Sequence, residues 1–250
     1  MAYLTNTPIN QTPVVNPMKY ILNFMLAAIL FTACNSNQKN TSPQTKTMNP
    51  SISTYIEKQI LPGYDTLSPE RKEILNELAD WISNNQDSAV SLTFICTHNS
   101  RRSHFGQVWA SVAAHYYGIP NIKTYSGGTE ATAFNPRAVS ALERVGFGIS
   151  KDSGENPLYH VTFDSEVPAM NCFSKKYDDQ SNPQKQFAAI MTCSQADEAC
   201  PLVLGASKRF AVMYQDPKVA DNTDQETAKY DERCKQIATE MFYVMSRVKK

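Results

Sequence analysis

The sequence predicts an α/β domain with three layers, in which helices cover both faces of a four-stranded, mainly parallel sheet. Short apolar runs rich in β-branched and aromatic residues alternate along the chain with amphipathic helical segments, and parallel strands need such crossover helices. Of the 250 residues, 42% are hydrophobic, which is enough for one core. We therefore expect a single domain over residues 51–250, without internal repeats.

The amino-terminal half of this domain has clear element boundaries. Serine at position 68, followed by proline, is a start signal for a helix, and Asn135 before Pro136 is a second one. The predicted elements are a helix over 69–84, a strand at Leu92–Ile95, a helix that begins near Ser103, a strand at Ile122–Tyr125, and a helix at Pro136–Val145 that ends at Gly146.

The carboxyl-terminal half begins with a polar and irregular stretch over 151–187. Residues Thr223 to Glu226 have the form of a capping box, which predicts the start of a terminal helix. Cys234 falls on the inner face of that helix, and we expect it to fill the core. Three strands are predicted in this half, at His160–Phe163, Phe187–Thr192 and Phe210–Tyr214.

The charge and the cysteine spacing exclude two classes of site. The formal net charge is zero and the isoelectric point is about 6.9, so the chain as a whole lacks the basic surface that nucleic-acid binding needs. The sequence has no Cys-x-x-Cys pair, and its histidines are not spaced with cysteines as zinc ligands are. We expect neither a metal nor a cofactor.

Residues 1–34 have the organisation of an export signal. Lys19 precedes an apolar run over 21–31, which is too short for a membrane span of ~20 residues. The ending Phe31-Thr32-Ala33-Cys34 resembles a bacterial lipobox. This organisation predicts cleavage before Cys34 and a lipid anchor on its thiol.

The position of this signal has consequences for the start codon and for localisation. With this signal, Met18 is the natural first residue, and residues 35–50 form a linker. We then expect the domain to be held on the membrane and to face the periplasm. The alternative is translation from Met48, which leaves the protein in the cytoplasm.

The stretch from Cys96 to Ser103 carries the predicted chemistry. A strand, Cys-x5-Arg-Ser and a helix follow one another here, so loop amides and the helix N-terminus can surround a tetrahedral oxyanion. Arg102 can grip that oxyanion, and the same field favours thiolate over thiol at Cys96. The remaining oxyanion-binding candidates are Thr97, His98, Asn99, Ser100, Arg101 and Ser103. The alternative is a buried structural cysteine beside an unrelated arginine pair.

A thiol nucleophile of this kind needs a proton donor for its leaving group. Asp216 precedes Pro217 just after a predicted strand, at the sheet edge where Cys96 is expected. We therefore propose Asp216 as the candidate acid, although Asp-Pro is also a common turn signal.

Four segments of the chain resemble the low-molecular-weight protein tyrosine phosphatases, and most of all the thioredoxin-coupled arsenate reductases of that fold. The segments are Cys96–Ser103, Ser126–Glu130, Asn135–Val139 and Asp216-Pro217, within a resemblance over about residues 90–248. The resemblance implies a phosphatase-I-like fold, Cys96 as nucleophile, Arg102 as oxyanion clamp and Asp216 as general acid. It also implies that Asn99 and Ser103 shape the loop.

The chain departs from the family at four points, one of which is that the stretch over 151–187 is longer than expected for the family. His98 replaces a usual loop glycine, and Arg101 stands where a second cysteine is often found. Lys218-Val219 follows Asp216-Pro217 in place of the tyrosines that often line a phosphotyrosine pocket. The last departure weakens the phosphatase interpretation.

Cys193 and Cys200 resemble the resolving cysteines of the arsenate reductases. If the segment between them is a helix, the seven residues span two turns and separate the cysteines by roughly 10 Å, whereas a disulfide needs Cα atoms within about 7 Å. The resemblance implies that the segment rearranges to close a disulfide, which a thioredoxin-like reductant then reduces. The alternative is a pair of small buried residues or a static disulfide.

These observations leave three functions in order of preference. Thiol-dependent arsenate reduction is first, and hydrolysis of phosphomonoesters or phosphotyrosine through a cysteinyl-phosphate is second. A non-enzymatic oxyanion-binding lipoprotein is third. Cys172 has no assigned role.

Overall fold

A computed structural model of the chain describes residues 47–199 and 202–249. Seven strands and six α-helices lie in these ranges. They are α1 (Pro50–Tyr55), α2 (Pro69–Ser83), β1 (Val90–Cys96), α3 (Arg102–Tyr116), β2 (Ile122–Gly128), α4 (Pro136–Val145), β3 (Gly148–Lys151), β4 (Tyr159–Thr162), β5 (Met170–Cys172), β6 (Phe187–Met191), α5 (Ser194–Ala199), β7 (Ala206–Ala211) and α6 (Glu226–Arg247). A π-helical turn and a 3₁₀ turn continue α1 through Thr66, and a second 3₁₀ turn spans Pro217–Ala220.

Four of the strands form the central sheet, in the order β2-β1-β6-β7. All three pairings are parallel, which confirms the predicted sheet. In the register, Cys96 pairs with Gly128 and Ile95 pairs with Met191. The carboxyl ends of β1, β2 and β6 therefore meet at one edge of the sheet, where open α/β sheets bind ligands.

The long helices α3 and α6 pack on each other and enclose the main core. Trp109 of α3 is fully buried, and its ring lies 6.1 Å from that of Phe242, edge to face. The indole Nε1 donates to Cys234 Sγ over 3.2 Å. Cys234 is thus a core residue, as the sequence predicts. Within the described ranges, no helix combines the length and apolarity of a membrane span.

The segment before β1 is part of the folded domain from residue 47 onward. Met48 is buried, and the side chain of Asn49 caps α1. Ser68 caps α2 by accepting from the amide of Arg71 over 3.2 Å. Residues 47–50, at the end of the predicted linker, therefore belong to this domain, whereas the proposed signal segment and Cys34 lie outside the described residues.

Strand β7 is displaced from its predicted position at Phe210–Tyr214. The ladder with β6 covers Ala206–Ala211, and the chain beyond it continues as extended backbone bonded to Met191 and Thr192. β7 is an edge strand, so exposed polar side chains such as Lys208 interrupt its apolar pattern. The sequence prediction therefore placed the strand too far along the chain, on the apolar residues at the end of the ladder and after it.

Two other expectations need correction. Helix α6 begins at Glu226, and its N-cap residue Gln225 makes no side-chain cap bond. The Thr223 hydroxyl donates to the Ala220 carbonyl over 2.8 Å and accepts from the amide of Gln225 over 3.2 Å, so it closes the turn before the helix. The stretch over 151–187 is also more regular than predicted. Strand β4 lies between β3 and β5 in an antiparallel sheet. Strands β3 and β5 are too short to give a periodic signal in the sequence.

Candidate active site

The loop between β1 and α3 turns its carbonyl groups outward. Backbone amides of the following segment donate to them, from Thr129 to Cys96 over 3.1 Å, from Glu130 to Thr97 over 2.8 Å and from Asn135 to Ser100 over 2.9 Å. In a trans peptide the N–H of the next residue points opposite to the carbonyl. The amides of Thr97, His98 and Arg101 therefore face the interior of the loop and form an anion-binding concavity.

The thiol of Cys96 is held by a directed hydrogen-bond chain. Cys96 is 3% exposed, and its Sγ lies 3.1 Å from the Oγ of Ser103. Asn99 Nδ2 donates to that same Oγ over 2.8 Å, and Asn99 Oδ1 accepts from the amide of Lys175 over 2.9 Å. The Ser103 oxygen thus accepts from Asn99 and keeps its own hydroxyl proton, and either Ser103 or Cys96 can be the donor in the contact between them.

Asn99 has the left-handed backbone conformation in this loop, with φ of 43°. Asparagine adopts this conformation more readily than most residues. His98, which replaces a usual glycine of the family loop, is not the residue with positive φ. Its ring is partly exposed, with Nε2 3.4 Å from the carboxylate of Glu130.

Arg102 and Asp216 form an ion pair at the mouth of the loop. Arg102 Nη2 donates to Asp216 Oδ2 over 2.8 Å, and Nη1 donates to the carbonyl of Tyr214 over 2.9 Å. Arg102 Nε is buried and has no hydrogen-bond partner among the described residues. The guanidinium thus has a free donor, which suits the oxygen of an anion.

The side chain of Arg101 is turned away from the loop interior. Its Nε donates to the hydroxyl of Tyr230 over 2.9 Å and lies 3.8 Å from Asp216 Oδ1. Tyr230 in turn donates to Asp221 over 2.8 Å. Of the predicted oxyanion-binding candidates, Arg101 therefore offers its backbone amide, while its guanidinium helps to hold Asp216.

The remaining predicted loop residue, Ser100, anchors the loop from outside. Its hydroxyl donates to the carbonyl of Ala133 over 2.8 Å. The hydroxyl therefore fixes the loop on the segment that leads into α4 and does not enter the concavity through this contact.

Cys193 lies beside the loop, directly after β6. It is 2% exposed and shares a small apolar cluster with Cys96. Thr97 Oγ1 is 3.4 Å from Cys193 Sγ. An open cavity of about 400 Å³ is lined by Cys193 together with Arg102 and Asp216. The structure thus brings Cys193 to the predicted site, whereas Cys200 lies outside the described residues.

Two residues that the sequence interpretation missed support the loop from below. The Ser174 hydroxyl donates to the His98 carbonyl over 2.9 Å and accepts from the amide of Thr132 over 2.8 Å. The backbone of Lys175 donates to Asn99 and accepts from Gly128. Both residues lie in the stretch predicted to be irregular, and no sequence periodicity marks them.

Burial sets the protonation of the other thiols and of one imidazole near the site. It raises the pKa of Cys172 and of Cys234 to about 12, so both remain thiols and are poor nucleophiles. Burial, assisted by the charge of Lys175, lowers the pKa of His104 to about 3. His104 is therefore neutral beneath the loop. Within 47–199 and 202–249, the acidic, histidine and cysteine side chains form no group of three that could hold a metal ion.

No model of a known protein family matches the chain. The chain is 29% identical to an arsenate reductase of Halalkalibacterium halodurans over 133 residues, which are 53% of this chain and 78% of that protein. It is also 29% identical to an arsenate reductase of Bacillus subtilis over 140 residues, 56% of this chain and 83% of that protein.

Solved structures with a similar arrangement include a low-molecular-weight phosphotyrosine phosphatase from Vibrio cholerae, with 12% identity, a TM-score of 0.41, and coverage of 63% of this chain and 94% of that one. Another is an arsenate reductase in the phosphate binding state, with 16% identity and a TM-score of 0.41. The match covers 64% of this chain and 99% of that one. The sequence matches confirm that the chain is similar to arsenate reductases, which its motifs resemble.

Proposed function

We propose that this chain is a thiol-dependent arsenate reductase with Cys96 as its nucleophile. The observation that carries the proposal is the position of Cys193. A second thiol contacts the loop residue Thr97 over 3.4 Å and lines the same cavity as Arg102 and Asp216. A phosphatase needs no second thiol at this place, whereas a reductase needs one to remove arsenite from the first.

The first step joins Cys96 to arsenic. The inward amides and Arg102 hold the arsenate oxygens, and the Cys96 thiolate attacks arsenic and forms an S–As bond. One oxygen leaves as water after protonation, and we assign Asp216 as the proton donor. Arsenic is still in its oxidised state after this step.

The second step transfers two electrons. The thiolate of Cys193 attacks Cys96 Sγ, the S–As bond breaks, and its electron pair stays on arsenic, which leaves as arsenite. A disulfide between Cys96 and Cys193 remains. Cys200 then attacks Cys193 and releases Cys96, and a thioredoxin-like dithiol reduces the disulfide between Cys193 and Cys200.

The test is arsenate turnover by the purified protein with a thioredoxin system as electron donor. Cys96→Ser should abolish arsenate reduction and also hydrolysis of p-nitrophenyl phosphate, because a serine hydroxyl supplies almost no anion at neutral pH. Cys193→Ser should stop repeated arsenate turnover and leave p-nitrophenyl phosphate hydrolysis in place. Cys234→Ala, a core cysteine without site contacts, is the matched control.

Two outcomes of this experiment would count against the reductase. One is a Cys193→Ser variant that turns over arsenate as the parent does. The other is a parent that reduces no arsenate with any thiol donor. Trapping of a disulfide between Cys96 and Cys193 in Cys200→Ser, detected by peptide mapping after exposure to arsenate, would support it directly.

Hydrolysis of phosphomonoesters through a cysteinyl-phosphate is the second candidate. It is supported by the 2.8 Å contact between Arg102 and Asp216, which brings a carboxyl group next to the candidate anion clamp. It requires only these two residues and Cys96. Hydrolysis that survives in Cys193→Ser, combined with absent arsenate reduction in the parent, would favour it.

We also propose that the protein is exported and anchored to the membrane through a lipid on Cys34. Lys19, the apolar run over 21–31 and the lipobox-like ending at Cys34 support this proposal. Intact-mass measurement on membrane fractions should find an acylated protein that begins at Cys34. A protein without acylation, in the soluble fraction and beginning at Met48, would contradict it.

A further inference from the structure

A buried ion pair connects two helices behind the candidate site. Arg71 of α2 places Nη2 2.6 Å from Glu240 Oε2 of α6, and Glu240 is 1% exposed. Gln236 donates to the other oxygen of Glu240 over 3.2 Å. Both carboxylate oxygens are therefore engaged, as a buried charge requires.

The same arginine holds the chain that leads to the site. Arg71 Nη2 also donates to the carbonyl of Met213 over 3.1 Å. The guanidinium lies over the ring of Tyr214, 4.9 Å from its centroid. The carbonyl of Tyr214 accepts from Arg102 Nη1 over 2.9 Å. Consecutive carbonyls of one peptide segment thus bind Arg71 on one side and Arg102 on the other.

Glu240 also balances the charge of this region. It pairs with Arg71, and its charge also acts on the buried Arg233, whose pKa is lowered by burial and raised by the charges of Glu232, Tyr214 and Glu240. Burial, followed by the charge of Glu240, raises the pKa of Tyr214 well above its ordinary value. A neutral residue at position 240 would leave Arg71 without its carboxylate partner.

We propose that Arg71 and Glu240 are positioning residues that set the orientation of Arg102. They hold the segment Met213–Tyr214, and that segment supplies the carbonyl to which Arg102 is bound. The inference rests on the proposed function only in taking Arg102 as the oxyanion clamp. It assigns part of the site to α2, a helix that precedes the first strand of the sheet.

The test is binding of inorganic phosphate, measured by calorimetry on the full chain. Arg71→Met should weaken phosphate about tenfold, the effect of impairing one charge-assisted hydrogen bond, and Arg71→Lys should recover part of the loss. With arsenate as substrate, KM should rise more than kcat falls. Leu78→Ala removes a buried side chain from the same helix and is the control: it should lower Tm without changing the phosphate Kd.

A double-mutant cycle distinguishes positioning through Arg102 from a general loss of structure. In an Arg102→Lys background, Arg71→Met should change the phosphate Kd by less than about twofold, because the group that it positions is gone. Equal weakening in both backgrounds, or equal weakening by Leu78→Ala, would overturn the inference. A parent that fails to bind phosphate would instead overturn the oxyanion site and the proposed function with it.

Discussion

The hydroxyl of Ser103 lies 3.1 Å from the Sγ of Cys96 and itself accepts a hydrogen bond from Asn99. The direction of this chain is fixed from outside the loop, because the other end of the Asn99 amide accepts from the backbone of Lys175. Ser103 keeps its own proton, which it can donate to the sulfur when Cys96 is a thiolate. The thiolate that the proposed mechanism requires is the form that benefits from this donor.

We expect Ser103→Ala to slow the alkylation of Cys96 by iodoacetamide at neutral pH. The loss of a hydrogen bond to a charged sulfur should lower the rate about tenfold. Ser126→Ala is the matched control, since Ser126 is another buried serine, bonded to His104 instead of to the thiol. The rate is read from the mass of the peptide that contains Cys96. An unchanged rate in Ser103→Ala would refute this role for the hydroxyl.

The support beneath the loop yields a second prediction. Ser174→Ala leaves the amide of Thr132 without its partner and the carbonyl of His98 with one fewer donor. We expect the free energy of unfolding to fall by about 1–3 kcal/mol, and KM for arsenate to rise a few-fold as the loop loosens. Urea denaturation and steady-state kinetics measure the two effects. Ser181→Ala, at an exposed serine bonded to Asp179 in the same stretch, should change neither quantity.

The buried imidazole of His104 predicts a pH dependence of stability. Its pKa in the folded protein is about 3, against an ordinary value of 6.5. Between these two values the unfolded chain binds a proton that the folded protein does not. Stability should therefore fall as the pH drops from 6.5 toward 3, by about 1.4 kcal/mol per pH unit for this one group.

His104→Gln should flatten this dependence, because glutamine does not titrate. Urea unfolding at about pH 7 and about pH 5 measures the slope. His160→Gln, which removes an imidazole more exposed than His104, is the control and should leave the slope close to that of the parent. A slope in His104→Gln equal to that of the parent would show that other groups account for the acid sensitivity.

Sequence patterns predicted the sheet and the loop that follows β1 because both depend on local signals. The apolar run before Cys96 is a central strand buried along nearly its whole length, so hydrophobicity alone reveals it. The caps Ser68 and Asn135 are also local, since each side chain bonds an amide two or three residues away. The position of Asp216 was predictable for the same reason. It follows a predicted strand whose carboxyl end lies at the same edge of the sheet as the carboxyl end of β1.

Contacts across long sequence separations escaped the prediction. Ser174 bonds a carbonyl 76 residues earlier, and Arg71 bonds a carboxylate 169 residues later. Neither residue belongs to a motif or to a periodic pattern, since each is a polar side chain among many others. Their place near the site exists only after the chain has folded, so composition and spacing cannot reveal it.

The last prediction separates the two enzyme candidates through Asp216. Asp216→Asn removes an acid and keeps nearly the same shape, and the bond from Arg102 to the Tyr214 carbonyl remains. If Asp216 protonates a leaving group, hydrolysis of aryl phosphates should fall by ~10²–10⁴-fold in the variant. The loss should be larger for phenyl phosphate than for p-nitrophenyl phosphate, because the more basic phenolate depends more on the proton.

Arsenate reduction should respond less to the same substitution, because its second step is attack of one thiol on another and has no phenolic leaving group. Cys193→Ser should give the opposite pattern, with arsenate turnover lost and aryl phosphate hydrolysis retained. Asp221→Asn, at a nearby carboxylate that accepts from Tyr230, controls for loss of negative charge near Arg101. Equal losses of both activities in Asp216→Asn would mean that Asp216 serves to hold Arg102 and not to donate a proton, since the ion pair over 2.8 Å is common to both reactions.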